Sequence, residues 1–229
     1  MKALMKRQLK VFLLAMLCFV LVIPAMNVSA VTQRQKAINA YKKYMAQSKV
    51  YVLPKGSKGP VYLFSGSKTT YNGTPGSKVK FCIANIDNDS IPELVINCQL
   101  GLRSDIPAYT ILTYKDGKIK RVIYETYASF KGYYPKTGIY INHHITESDL
   151  VYIEYYRMKG LKAAEVMYKG DWGSLKYTSD DYEDWYSIGE KHCSAKTFAA
   201  YRSKITGGKS LIKVKMHNNT ATNRNLKIK

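Results

Sequence analysis

Asn85, Asp87, Asp89 and Glu93 stand at positions 1, 3, 5 and 9 of "NIDNDSIPE", in a chain with 36 Lys and Arg against 16 Asp and Glu. Alternate residues of a tight loop can turn their side chains toward one point. Three carboxylates and an amide so placed match the chemistry of Ca²⁺, which takes six to eight oxygens at about 2.3–2.6 Å from carboxylates, amides and main-chain carbonyls. Position 7 is Ile91, which can offer only its backbone carbonyl. An EF-hand is excluded, because its twelfth position needs a bidentate Glu and Ile96 stands there. A strand-loop-strand site closing at Glu93 fits instead. The competing expectation is a loop shaped by Asx turns, with its carboxylates solvated.

Other constellations are poorer. His143 and His144 are adjacent, so on a strand they point to opposite faces and cannot share one metal. Either could pair with Glu147 or Asp149 as acid and base. That pairing defines the alternative function, a secreted hydrolase with a dispersed active site near His143/His144, although no nucleophile motif accompanies it. His192 precedes Cys193, but sequence neighbours rarely reach Cys–His geometry, so the thiol is expected to be structural. Asp180, Asp181, Glu183 and Asp184 are expected to form a solvated acidic cluster.

The first thirty residues have the layout of a cleaved secretory signal. Lys2, Lys6, Arg7 and Lys10 precede the apolar run "VFLLAMLCFVLVI", and "VSA" (28–30) places small residues at the −3 and −1 positions. The run of 13 residues is too short for a bilayer, which needs about 20. This predicts a signal over 1–30, a single secreted domain over 31–229 and no membrane span. Cys82, Cys98 and Cys193 would remain, without a CxxC pair or a zinc spacing.

The formal charge of +20 falls to +16 once the four leader cations leave. Such an excess attracts anionic surfaces over long range, which outside a cell include wall polymers and acidic glycans. An anionic cell-wall polymer or glycan is therefore the expected partner. Specific nucleic-acid recognition is not, because Lys is scattered along the chain and Arg is sparse.

The elements that must position the acidic loop are mostly strands. "VTQRQKAINAYKKYMAQS" predicts a first helix, with Thr32 and Gln35 as a capping box and Ala37, Ile38, Tyr41, Tyr44 and Met45 on one face. "VYLF", "VKFCIA", "PELVIN", "YTILTY" and "IKRVIYETY" predict strands, and "KDGK" predicts a hairpin turn. "GIYINHH", "LVYIEYYRMKG" and "LKAAEVMYKG" continue the pattern, with "MKG" turning a second hairpin. "CSAKTFAAYRSKI" predicts a helix capped by Ser194, with Phe198, Ala199, Tyr201 and Ile205 inward, followed by a basic tail with one short strand. The fold class is α+β: a twisted antiparallel β-sheet meander of about six to eight strands, flanked by N-terminal and C-terminal helices. Pairing the loop's flanking strands about Ser90 sets Cys82 opposite Cys98 and puts Cys82, Ala84, Ile86, Leu94, Ile96 and Cys98 on one face. That leaves open a cross-strand disulfide or two buried thiols.

"FCIANIDNDSIPELVI" resembles the Phe-Ala-x-x-Asp-Ile-Asn/Asp-Gly-Asp-Gly-Ile-Pro-Glu-Leu segment of small secreted proteins from gut-dwelling Firmicutes. "ILTYKDGK", "YYPKTGIY" and an "NTxxNR" ending, here Asn219-Thr220 and Asn223-Arg224, resemble other segments of that family, so the likeness extends over most of the chain after the leader. It implies a calcium-type loop, similar to the strand-loop-strand sites of β-propeller proteins, and no known enzymatic activity. Asn85 stands where Asp is usual, and Asn88 and Ser90 replace glycines. A left-handed Ser90 would cost roughly 1 kcal/mol. The expectation is a secreted, non-enzymatic, surface-associated or binding protein with a weak structural Ca²⁺ loop (Asn85, Asp87, Asp89, Ile91, Glu93) and a cationic exterior.

Overall fold

Asp116 and Gly117 adopt φ of 53° and 75°, the left-handed pair that a two-residue hairpin turn requires, and Lys115 pairs with Lys118 across them. The hairpin joins strands β5 (Ile106–Lys115) and β6 (Lys118–Thr126) of a computed structural model that describes residues 33–56, 71–100, 106–145, 151–171 and 185–229. The leader, Thr32, the strand expected at 61–64, Glu147, Asp149 and the acids of 180–184 lie outside the described residues. The first sheet adds β4 (Glu93–Leu100), β3 (Val79–Ala84) and β14 (His217–Asn218), in the order β14-β3-β4-β5-β6. A two-stranded ribbon pairs β1 (Lys49–Val50) with β2 (Thr74–Pro75).

The meander expected as one sheet divides into two. Tyr127, between β6 and β7 (Ala128–Tyr134), has φ of 58°, and this single left-handed residue turns the chain from the first sheet into the second. There β7 is followed by β8 (Ile139–Ile145), β9 (Val151–Lys159), β10 (Lys162–Asp171), β11 (Trp185–Ile188) and β12 (Lys191–His192), with β13 (Ile212–Lys213) on the free edge of β7. The "MKG" hairpin forms as expected, with Lys159 opposite Lys162 and Gly160 at φ 61°.

The layers follow from which faces are apolar. Helix α1 (33–45) buries Ala37, Ile38, Tyr41 and Met45 against Phe81, Leu94 and Ile96 of the first sheet. The other face of that sheet presents Cys82, Val95, Tyr109 and Ile111 to Phe130 and Tyr140 of the second. The second sheet's outer face carries Tyr134, Ile139, Ile141 and Tyr155 under Phe198 of α2 (Ala195–Thr206). The order is helix, sheet, sheet, helix. Both faces of both sheets are thereby covered, so the acidic loop hangs from a sheet that is packed on each side.

Three expectations change. Ala84 pairs with Glu93 and Cys82 with Val95, a register three residues from the one centred on Ser90. An odd slip moves every side chain to the other face. Cys98 consequently lies with Leu94 and Ile96 on the α1 side and Cys82 on the inter-sheet side; both are free thiols, which burial pushes up to about 12. Ala199 is exposed, because α2 presents a stripe of Phe198, Tyr201 and Ile205. Ser194 does cap that helix, accepting the Thr197 N–H at 3.2 Å, and Gly207 ends it at φ 59°.

The tail holds two elements more than the one short strand expected: a second strand and a helix. Thr220 caps α3 (Ala221–Lys227) by accepting the Asn223 N–H at 3.1 Å. Asn219 points inward, where its Nδ2 donates to the carbonyls of Met45 (2.9 Å) and Gly76 (3.0 Å) while Arg224 donates to its Oδ1 (3.0 Å). The "NTxxNR" ending is therefore a clamp that ties the chain's end to the end of α1. Asn219→Ala would orphan two buried carbonyls and is expected to lower unfolding free energy by about 2 kcal/mol. Denaturant midpoints of the two proteins test this.

Candidate metal centre

Glu93 follows Pro92 as the first residue of β4, and its side chain has no solvent exposure. The carboxylate turns back into the loop, where Oε2 accepts the Ile86 N–H at 2.9 Å. Asp87 Oδ1 accepts the Asp89 N–H at 3.0 Å, and Asp89 Oδ1 accepts the Ile91 N–H at 2.7 Å. These are the expected Asx turns, and they leave the three carboxylates convergent. One oxygen from each lies within 4.8 Å of the others, so Asp87, Asp89 and Glu93 could hold a metal ion.

The loop is anchored from two sides. The Ile86 carbonyl accepts the N–H groups of Thr137 (3.1 Å) and Gly138 (2.8 Å), and the Asn85 carbonyl accepts that of Lys136 (3.1 Å). The "YYPKTGIY" turn of the second sheet thus cradles the loop of the first. Gly138 is required there: its φ is 75°, and a Cβ would sit 2.6 Å from the Met158 carbonyl oxygen. From α1, the Tyr41 hydroxyl donates to the Pro92 carbonyl at 2.9 Å.

Electrostatically the site is unfinished by protein groups. Glu93 Oε1 is buried and has no hydrogen-bond partner among the described residues. Burial pushes its carboxyl up to about 8; the Ile86 N–H opposes the shift, and Asp87 and Asp89 add to it. Of the other expected donors, Asn85 is exposed and Ile91 is half-buried against the α1 cluster. The expected strain at Ser90 is absent, since neither Ser90 nor Asn88 has positive φ. Neither position therefore requires glycine for this loop shape.

The histidines are placed apart from this centre. His143 pairs with Ile153, which packs toward α2, whereas His144 pairs with Tyr152 on the inter-sheet side. His144 Nδ1 lies 3.4 Å from Glu154 Oε1, and burial lowers the imidazole's pKa. The His192 ring meets the Trp185 indole N–H and the Ser187 hydroxyl, while Cys193 packs into the α2 cluster.

One group escaped sequence reasoning. Glu125, Glu154 and Glu165 approach one another near the buried Tyr109, Tyr140 and Asn142, whose Nδ2 donates to the Tyr109 hydroxyl at 3.2 Å. The only signal was a Glu at an inward position of strand alternation in "YETY" and "YIEYY". Burial, then Glu154 and Glu165, pushes Glu125 up to about 7; burial, then Glu154, pushes Glu165 up to about 6; burial raises Glu154.

Comparison with family models, with curated proteins and with solved structures finds no match for this chain. The geometry thus defines only a class: an α+β protein of stacked antiparallel sheets with a three-carboxylate cluster. Among the described residues no helix is long and apolar enough to cross a membrane.

The inter-sheet carboxyls set a pH dependence. Raised pKa values mean that the folded state binds more protons than the unfolded chain. Their contribution is complete below the ordinary value of 4.5 and is lost as pH rises to about 7. Stability is expected to fall across that window, and Glu125→Gln to flatten the fall. Thermal unfolding at a series of pH values measures both.

Proposed function

We propose that this chain is a secreted, non-enzymatic binding protein whose acidic loop holds a structural Ca²⁺. Its cationic exterior engages an anionic cell-wall polymer or glycan. One observation carries the calcium assignment: Glu93, a fully buried carboxylate with one oxygen that has no hydrogen-bond partner, clusters with Asp87 and Asp89. Leaving an ionised group so placed is costly, and a divalent cation offsets that cost directly. The all-oxygen donor set favours a hard cation. The Asn85 side chain and the Ile91 carbonyl add two further donors in this proposal. With three carboxylates and one face open to solvent, the site belongs with extracellular modules of about 10⁻⁴–10⁻³ M affinity.

The surface half of the proposal rests on the formal charge and on lysines such as Lys36, Lys43, Lys78, Lys80, Lys196 and Lys204, all exposed. The resemblance to secreted Firmicutes proteins and the leader support export.

Calcium at ten times its dissociation constant is expected to stabilise the fold by about 1.4 kcal/mol, read as a rise in melting temperature with binding heat in calorimetry. Asp87→Asn and Glu93→Gln should abolish both effects, and Glu93→Gln should leave the calcium-free fold at least as stable as before. An unchanged melting temperature at millimolar Ca²⁺ contradicts the assignment. Retention on anionic wall material should weaken as salt rises; salt-independent retention contradicts the charge argument.

A further inference from the structure

Asp87 and Asp89 face outward as well as inward. Together with Ile91 they wall a cleft of about 360 Å³ whose other sides are the start of α1, the β5–β6 turn and the β9–β10 turn. Glu93 lies behind the two aspartates and takes no part in the lining. An ion shared by the three carboxylates would have one hemisphere in the protein and one in the cleft.

An oxygen count shows what the open hemisphere needs. Three of the carboxylate oxygens, Asp87 Oδ1, Asp89 Oδ1 and Glu93 Oε2, each already accept a backbone N–H. The remaining three, with the Asn85 amide and the Ile91 carbonyl, fall short of the six to eight that Ca²⁺ takes. The missing donors must come from the cleft side, as water or as the oxygens of a ligand that displaces it.

The charge around the cleft decides their chemistry. Asp87, Asp89, Glu93 and Asp116 outweigh Ca²⁺ and Lys115 by one negative charge, so an anionic ligand would meet net repulsion. Neutral hydroxyls would not. The cleft also offers apolar surface, from the half-buried Ile91 and Tyr114 and the 36% exposed Leu161. Gly117 and Gly160, both at positive φ in their turns, have nothing within 4 Å of a built Cβ, which leaves the rim open. The volume is at the small end of ligand sites, suited to one or two rings.

We propose that this cleft is a carbohydrate site, in which vicinal hydroxyls of a neutral sugar complete the coordination of the ion held by Asp87, Asp89 and Glu93 while the sugar's C–H face rests on Leu161 and Tyr114. The proposal depends on the calcium assignment above and goes beyond it. It gives the cleft a ligand distinct from the anionic polymer met by the exterior.

The test is retention of the whole chain on immobilised neutral glycans with free vicinal hydroxyls, and on polyglutamate, in Ca²⁺ and in chelator, beside a calorimetric Ca²⁺ titration. Expected is Ca²⁺ binding together with glycan retention that chelator abolishes. Leu161→Asn should weaken that retention about fivefold while leaving Ca²⁺ affinity unchanged. Ca²⁺ binding without calcium-dependent glycan retention would overturn the carbohydrate site and leave the structural ion standing. Calcium-dependent retention on polyglutamate alone would overturn the charge argument and the proposal with it. Absence of Ca²⁺ binding would overturn both.

Discussion

A carboxylate with no solvent exposure must find its partners within the fold, and Glu93 finds one for Oε2 in the Ile86 N–H. That bond fixes the loop between β3 and β4. It also orients the Ile86 carbonyl, which receives Thr137 and Gly138 from the second sheet. Tyr41 adds a bond from α1 to the neighbouring Pro92. Helix, first sheet and second sheet therefore meet at one short segment. Its remaining oxygen, Oε1, links this scaffold to chemistry, because only a proton or a cation can compensate an ionised group in that position.

The same logic separates the two acidic places in a basic protein. Around Glu93 the carboxylates converge to within 4.8 Å, a spacing suited to one small ion. Between the sheets Glu125, Glu154 and Glu165 interact but form no such group, and Tyr and Asn side chains surround them. The first arrangement favours a cation and the second favours protons. Exposed lysines such as Lys36, Lys43, Lys80 and Lys196 lie outside both groups.

Much of this was legible in the sequence where a residue has one physical role. Asp116-Gly117 announced its turn because few residues accept two successive positive φ values. Ser194 marked the start of α2 because N-capping needs such a residue type. The odd spacing of Asp87, Asp89 and Glu93 was visible as donor chemistry. Residues with two roles misled. Glu93 is at once a candidate ligand and the first strand residue; centring the pairing on Ser90 put Cys82 and Cys98 on the same face, whereas Glu93 itself pairs with Ala84. Tyr127 gave no sign that it would adopt φ of 58° and split the meander. Helix α3 buries none of its residues, so it carries no hydrophobic period to detect.

Terbium luminescence tests the central claim most directly, since Tb³⁺ takes the place of Ca²⁺ at oxygen sites and Tyr41 lies beside Glu93 as a sensitiser. Emission excited through tyrosine should rise on adding Tb³⁺, fall when Ca²⁺ displaces it, and disappear in Asp87→Asn and Glu93→Gln while Tyr41→Phe weakens it. Equal emission from the wild-type chain and both carboxylate variants would put the ion elsewhere and contradict the account.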